Sequence, residues 1–207
     1  TLTPYARTNK MDFLMHFVPW QPTEYNEHDS LGWHLQWQRY LMRGTKVYWT
    51  QEFEQTWADL REFQHGISPI IPNQIPQGAH YDYSVIARTG ALGAGIYWQA
   101  MRTLALDIAL RWDHIHYDYQ NALSSGSACE SGVNGCRFYR PESQGNHYSE
   151  PSLHAGLIYH IRNNFYTFAK LANGYRIPQT SELYRAQSPI LAEIDSEKMT
   201  SAELGIR

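Results

Sequence analysis

Charge is scarce in this sequence: Asp, Glu, Lys and Arg make up 18% of 207 residues, against roughly a quarter in ordinary soluble domains. The charges nearly cancel, at −3, which gives no reason to expect nucleic acid as a partner. Long apolar runs are missing as well. No stretch approaches the ~18 consecutive apolar residues of a membrane-crossing helix, and mean hydropathy is −0.54. The opening "TLTPYARTNKMDFLMHF" lacks the basic start, apolar centre and small-residue cleavage site of a secretory leader. Cysteine is down to two, Cys129 and Cys136 in "CESGVNGC". Without a second ligand pair they do not make a zinc site. They close a short disulfide loop in an oxidising compartment, or they stay as two free thiols.

Aromatic residues are plentiful, at 14% with 15 Tyr and 7 Trp, and their placement is periodic. In "RTLALDIALRWDHIHYDY", Leu104, Leu106, Ile108, Leu110 and Trp112 share one parity, and Asp107 and Arg111 share the other. A helix turns about 200° in two residues and would scatter this row, whereas a strand collects it on one face. The apolar run has the length of a tilted strand crossing a bilayer, roughly 9–11 residues. Asp107 and Arg111 then face away from lipid. The pattern recurs with Leu31, Trp33, Leu35 and Trp37; with Leu92, Ala94, Ile96 and Trp98; with Leu153, Ala155, Leu157, Tyr159 and Ile161; and with Ala202, Leu204 and Ile206. "MDFLMHFVPW" and "TKVYWTQEFEQTW" fit less cleanly. "NFYTFAKLANGY" is read with Phe165, Thr167, Ala169 and Leu171 outward, which leaves Lys170 inside.

Connections alternate in length. Short ones are expected at 42–45, 99–102 and 162–164, and long ones at about 20–29, 64–79, 120–151 and 176–197. Outer-membrane barrels sort their connections this way, with tight periplasmic turns and long extracellular loops. Trp33, Trp37, Trp98 and Trp112 near row ends suit aromatic girdles. Periodicity by itself also fits a soluble β-sandwich whose apolar rows face a core.

"LANGYRIPQTSELYRAQ" and "DSEKMTSAELGIR" extend the argument. They resemble the late strands of TonB-dependent outer-membrane receptors, through Gly174, Tyr175, Arg176, Pro178, Glu182, Leu183, Tyr184, Glu197, Glu203, Leu204 and Gly205. The resemblance covers residues 80 to 207 well and the remainder loosely. It implies an all-β, antiparallel transmembrane β-barrel, present in part: about eight strands of a barrel of about 22 that encloses a plug. Residues 1–207 are expected to be one barrel segment, with no plug domain, signal peptide or C-terminal closing strand. The resemblance further implies a Gram-negative outer membrane, contact with its lipid, TonB coupling through an N-terminal region absent here, and uptake of a scarce nutrient such as a ferric siderophore. A passive porin or adhesin barrel is the alternative.

Gly174 and Pro178 are expected to end a strand at the outer rim, with Arg176 pairing a carboxylate and Glu182 in a short helical turn. Ligand contacts are expected from His80, Tyr81, Asp82, Tyr83, Arg137, Tyr139, Arg140 and Arg176. Aromatic rings and guanidinium groups together suit a catecholate- or carboxylate-bearing iron chelate. His80 and Asp82 are assigned to one face of their strand, Tyr81 and Tyr83 to the other. His114 and His116 share a face without a third ligand, so no metal site is expected. Residues 177 to 197 contain no His, which disfavours haem. No Gly-x-Ser-x-Gly, His-Glu-x-x-His or phosphate loop is present, so neither catalysis nor a cofactor is expected.

Overall fold

The computed structural model describes residues 1–42, 44–185, 187–188 and 194–207. In chain order the elements are β1 (Leu2–Leu14), β2 (Thr23–Met42), β3 (Thr45–Gln64), β4 (Gly78–Met101), β5 (Leu104–Asn121), β6 (Gly126–Ser127), β7 (Tyr139–Arg140), β8 (Gln144–Arg162), β9 (Phe165–Arg176), α1 (Thr180–Tyr184) and β10 (Glu197–Ile206). Eight strands form one antiparallel sheet in the order β1-β2-β3-β4-β5-β8-β9-β10, and β6 pairs with β7 in a small ribbon. The sheet is open, with β1 and β10 at its edges. It is part of a barrel wall.

The register confirms the alternating rows. Val47, Ile96, Ile108, Ala155, Leu171 and Ala202 stand opposite one another across six strands. Leu92, Leu110 and Trp112 on this face are 60%, 54% and 58% exposed, while Ala91, Ala105 and Asp113 on the other are 5%, 6% and 7% exposed. Among the described residues no second layer packs on the apolar rows, which removes the sandwich reading. The opposite face satisfies its charges internally. Arg111 donates to Glu52 at 2.7 and 3.0 Å and to Asp113 at 2.9 Å, and Lys170 lies 3.4 Å from Glu203. Phe168 lies flat over Gly205, where a Cβ would come within 2.5 Å of the ring. A bare glycine opposite an inward aromatic is how a sheet accommodates such a ring.

All three tight turns, Met42–Thr45, Met101–Leu104 and Arg162–Phe165, fall at one end of the sheet, and the long connections fall at the other. Two boundaries differ from expectation. The first long connection occupies 15–22 rather than 20–29, and the third ends before Gln144 rather than near 151. The polar runs "EYNEHDS" and "QGNHYSE", expected as loop, are both strand. They extend the wall past the lipid, where a strand needs no apolar row and uses cross-strand pairs such as Lys10–Glu27, 3.3 Å apart.

The corner after β9 also needs correcting. Gly174 does not have a left-handed backbone, and a Cβ there would meet nothing within 4 Å. Its freedom is not what ends the strand. Pairing between β8 and β9 stops at Leu153–Asn173, two residues short of Pro151, which has no N–H to offer a neighbour. The Asn173 side chain takes over, accepting from Leu153 N–H at 2.8 Å. Beyond it, Pro178 opens the loop that carries α1.

Candidate ligand site

The loop after β9 does not stand away from the sheet. Glu182 accepts a hydrogen bond from Gln179 N–H at 2.8 Å, which fixes the first turn of α1. That turn buries Leu183 and Tyr184 completely. The Tyr184 ring stacks on Tyr119 at 4.1 Å, and its hydroxyl donates to Asn146 Oδ1 at 2.7 Å. Arg176 is exposed and ties the corner together, donating to Glu182 at 2.8 Å and to Glu197 at 2.8 Å.

Arg185 then reaches across the inner face to the far side of the sheet. It donates to Glu24 on β2 at 2.8 Å and to Glu62 on β3. Both carboxylates are buried. Burial works to raise the Glu62 carboxyl, but the His80 hydrogen bond and the Arg185 charge outweigh it and hold it below the usual carboxylate range. Burial likewise works to lower Arg185, and the charges of Glu62 and Glu24 more than compensate, so its guanidinium is held above its ordinary value.

His80 is fully buried, with Nδ1 2.9 Å from Glu62 Oε1 and Nε2 2.8 Å from the Pro76 carbonyl. Both ring nitrogens face acceptors. Its ring stacks on Phe138 at 3.7 Å, and Tyr81 meets Phe138 edge-on at 5.7 Å. The expected split of faces fails here, because the β3–β4 register shifts at Glu62/Phe63. The irregularity turns His80 inward beside Tyr81, whereas Asp82 lies 3.9 Å from Arg61 at the outer surface. Asp82 is therefore apart from the inner cluster. Tyr83 packs on Tyr119 and Tyr184. Arg140 is occupied, donating to His80 O at 2.8 Å and Ala79 O at 2.5 Å. Tyr139 is half-buried in the β6–β7 ribbon, near the Cys129–Cys136 disulfide. Arg137 lies over the Trp20 ring at 5.7 Å.

Trp20, Glu62, Tyr81, Arg137, Phe138 and Arg185 line a cavity of about 210 Å³ at the loop end of the inner face. Of these, the sequence pointed only to Tyr81 and Arg137. Arg185 directly follows the "ELY" segment, so its approach to the rim was open to inference. Its partners, 161 and 123 residues away in sequence, were not.

Burial raises the phenols of Tyr81, Tyr83 and Tyr184, and brings Tyr119 to about 12. Raised acids of this kind contribute stability that is whole below the ordinary tyrosine value of about 10 and is lost as pH climbs through the folded values. Tyrosinate absorbance in a pH titration of the folded protein should therefore show a late-titrating group that merges with the rest in guanidinium. A single transition near the ordinary value would contradict this packing.

The model of the TonB-dependent receptor-like β-barrel family matches residues 3–207. No curated protein matches significantly. Among solved structures, the chain is similar to the copper transporter OprC, with 15% identity over 99% of this chain and 33% of that one, at a TM-score of 0.67. It is also similar to the closed form of the ferric-catecholate import receptor Fiu from E. coli K12, with 15% identity over 98% of this chain and 34% of that one, at 0.58. The chain thus spans about a third of the length of these structures, and at such identity the likeness speaks for the fold. Family match, open antiparallel wall and sorted loops agree: the chain belongs to the TonB-dependent receptor-like β-barrel family, whose barrels lie in the outer membrane of Gram-negative bacteria.

Proposed function

We propose that this chain supplies wall strands and extracellular rim to a receptor for TonB-energised uptake of a ferric siderophore, and that the rim cavity contacts the ligand's chelating arm. The observation that carries the reading is the joining of Trp20, Tyr81 and Phe138 with the guanidinium groups of Arg137 and Arg185 in one recess on the inner face. At about 210 Å³ the recess is smaller than a typical small-molecule pocket of roughly 300–1,000 Å³. It suits one aromatic or carboxylate arm rather than a whole chelate. Rings offer a stacking surface, and Arg137 offers charge-assisted hydrogen bonds to a catecholate oxygen. Arg185 is already engaged by two carboxylates and acts as a wall.

Binding of a ferric catecholate to the purified full-length receptor, and radio-iron uptake by cells with and without TonB, test this. Arg137→Ala should weaken binding by about tenfold, the equivalent of one charge-assisted hydrogen bond. Uptake should require TonB. Unchanged affinity in Arg137→Ala, or uptake at equal rate without TonB, would count against the proposal; the latter result favours a passive barrel.

A further inference from the structure

The outward face carries a groove of about 790 Å³, larger than the rim cavity and separate from it. It runs across β2 to β5 at the loop-side end of the apolar rows. Three successive rungs of the register build it. The uppermost holds Trp33, Phe53 and Gly90, the next Gln51 and Trp112, and the lowest Trp49. Gly90 is the floor, where a Cβ would meet nothing within 4 Å. Large rings on the neighbouring strands make the walls. Trp112 is held in place by its indole N–H, which donates to Ser149 Oγ at 2.7 Å.

Two polar groups at this groove have hydrogen-bonding capacity to spare. The Gln51 side chain is on the lipid-facing row and, among the described residues, has no hydrogen-bond partner. An amide facing hydrocarbon alone is costly. One rung above Gly90, Arg88 is exposed. Among the described residues its side chain makes one hydrogen bond, from Nε to Gln55 at 3.3 Å, and no ion pair. Both terminal nitrogens of the guanidinium are left to bind an anion, in the fork geometry that suits phosphate. The Arg88 and Gln51 rungs are four residues apart, about 13 Å along the strands. From the loop end downward the order is therefore cation, aromatic collar, amide and apolar trough. A phosphorylated acyl lipid carries its own groups in the same order: anionic head, ester or amide linkage, chain.

We propose that this groove is a specific site for a phosphorylated lipid of the outer leaflet. Its phosphate docks on Arg88, its linkage hydrogen-bonds to Gln51, and one acyl chain lies over Gly90 toward Trp49. The inference rests on the membrane-barrel assignment and is independent of which nutrient the rim cavity takes. Free phosphate satisfies only the upper half of the site and bulk hydrocarbon only the lower. The groove is level with Trp112, in the aromatic girdle, where the surrounding medium is lipid.

Native mass spectrometry of the purified full-length receptor in detergent, titrated with lipid A and with the same lipid stripped of its phosphates, is the test. The receptor should retain one phosphorylated lipid at concentrations where the dephosphorylated form dissociates. Arg88→Gln should weaken the phosphorylated lipid by about tenfold, the equivalent of one charge-assisted hydrogen bond, and leave the dephosphorylated one unchanged. Gly90→Phe fills the trough and should lose both. The open space at its Cβ lets the sheet form, and heat-modifiable gel mobility checks that it has. Lys10→Gln removes a positive charge from the same face outside the groove and should change nothing. Equal affinity of the parent for the two lipids, or retention undiminished in either folded groove variant, would overturn the assignment. So would displacement of the lipid by inorganic phosphate, an equal loss in Lys10→Gln, or a receptor dimer that Gly90→Phe separates.

Discussion

Arg185→Ala should detach the loop after β9 from the rim. The substitution leaves Glu24 and Glu62, whose side chains are 8% and 3% exposed, without their shared cation. Removing one member of a buried ion cluster costs about 3–5 kcal/mol, because the remaining charges stay desolvated and unpaired. Amide exchange at Leu183 and Tyr184 should accelerate by the corresponding factor. Replacing the whole cluster, as Glu24→Gln, Glu62→Gln and Arg185→Met together, should restore much of the protection, since no charge is then stranded. Equal exchange rates in the single and triple variants would show that charge pairing is not what holds the loop.

The same cluster sets an acid limit. The Glu62 carboxyl lies below its usual value in the folded protein. Its contribution is therefore complete above about 4.3, the unfolded glutamate value, and drains as pH falls through the folded one. Arg185→Ala removes one of the groups that depress it, so in that variant the Glu62 carboxyl should titrate at higher pH.

Ile108→Arg should block stable insertion, and Ala109→Arg should not. Ile108 belongs to the outward row between the levels of Trp98 and Trp112, and Ala109 faces the other way beside Gly95 and His154. An arginine at mid-membrane on the lipid face of a barrel costs about 2–4 kcal/mol, whereas an inward one meets water. Refolding into lipid vesicles, read by heat-modifiable gel mobility, separates the two. If both variants fold equally well, the outward row does not touch hydrocarbon.

The wall was readable because its pattern has a period of two, and every apolar row named from sequence is a row in the sheet. Lys170 is inside, opposite Glu203, as the reading of "NFYTFAKLANGY" required. Strand limits were less legible. "EYNEHDS" and "QGNHYSE" carry no apolar row, so above the membrane a strand and a loop look alike. His80 was misplaced by a register shift that a single strand's sequence does not reveal. Pairing of β9 with β8 stops short of Pro151, a limit that the sequence of β9 does not show, while β9 itself runs on against β10 to Arg176. Arg185 escaped notice because its partners belong to β2 and β3, and no local pattern joins them.

That separation carries a consequence for assembly. Arg185 and Glu24 are 161 positions apart, and they meet only after the intervening hairpins have been laid down one against the next. Contacts of such long range form late, when most of the chain entropy has already been spent. The mouth is thus the final piece of the wall to set, and loosening it should speed unfolding while hardly slowing the strands that zip together before it.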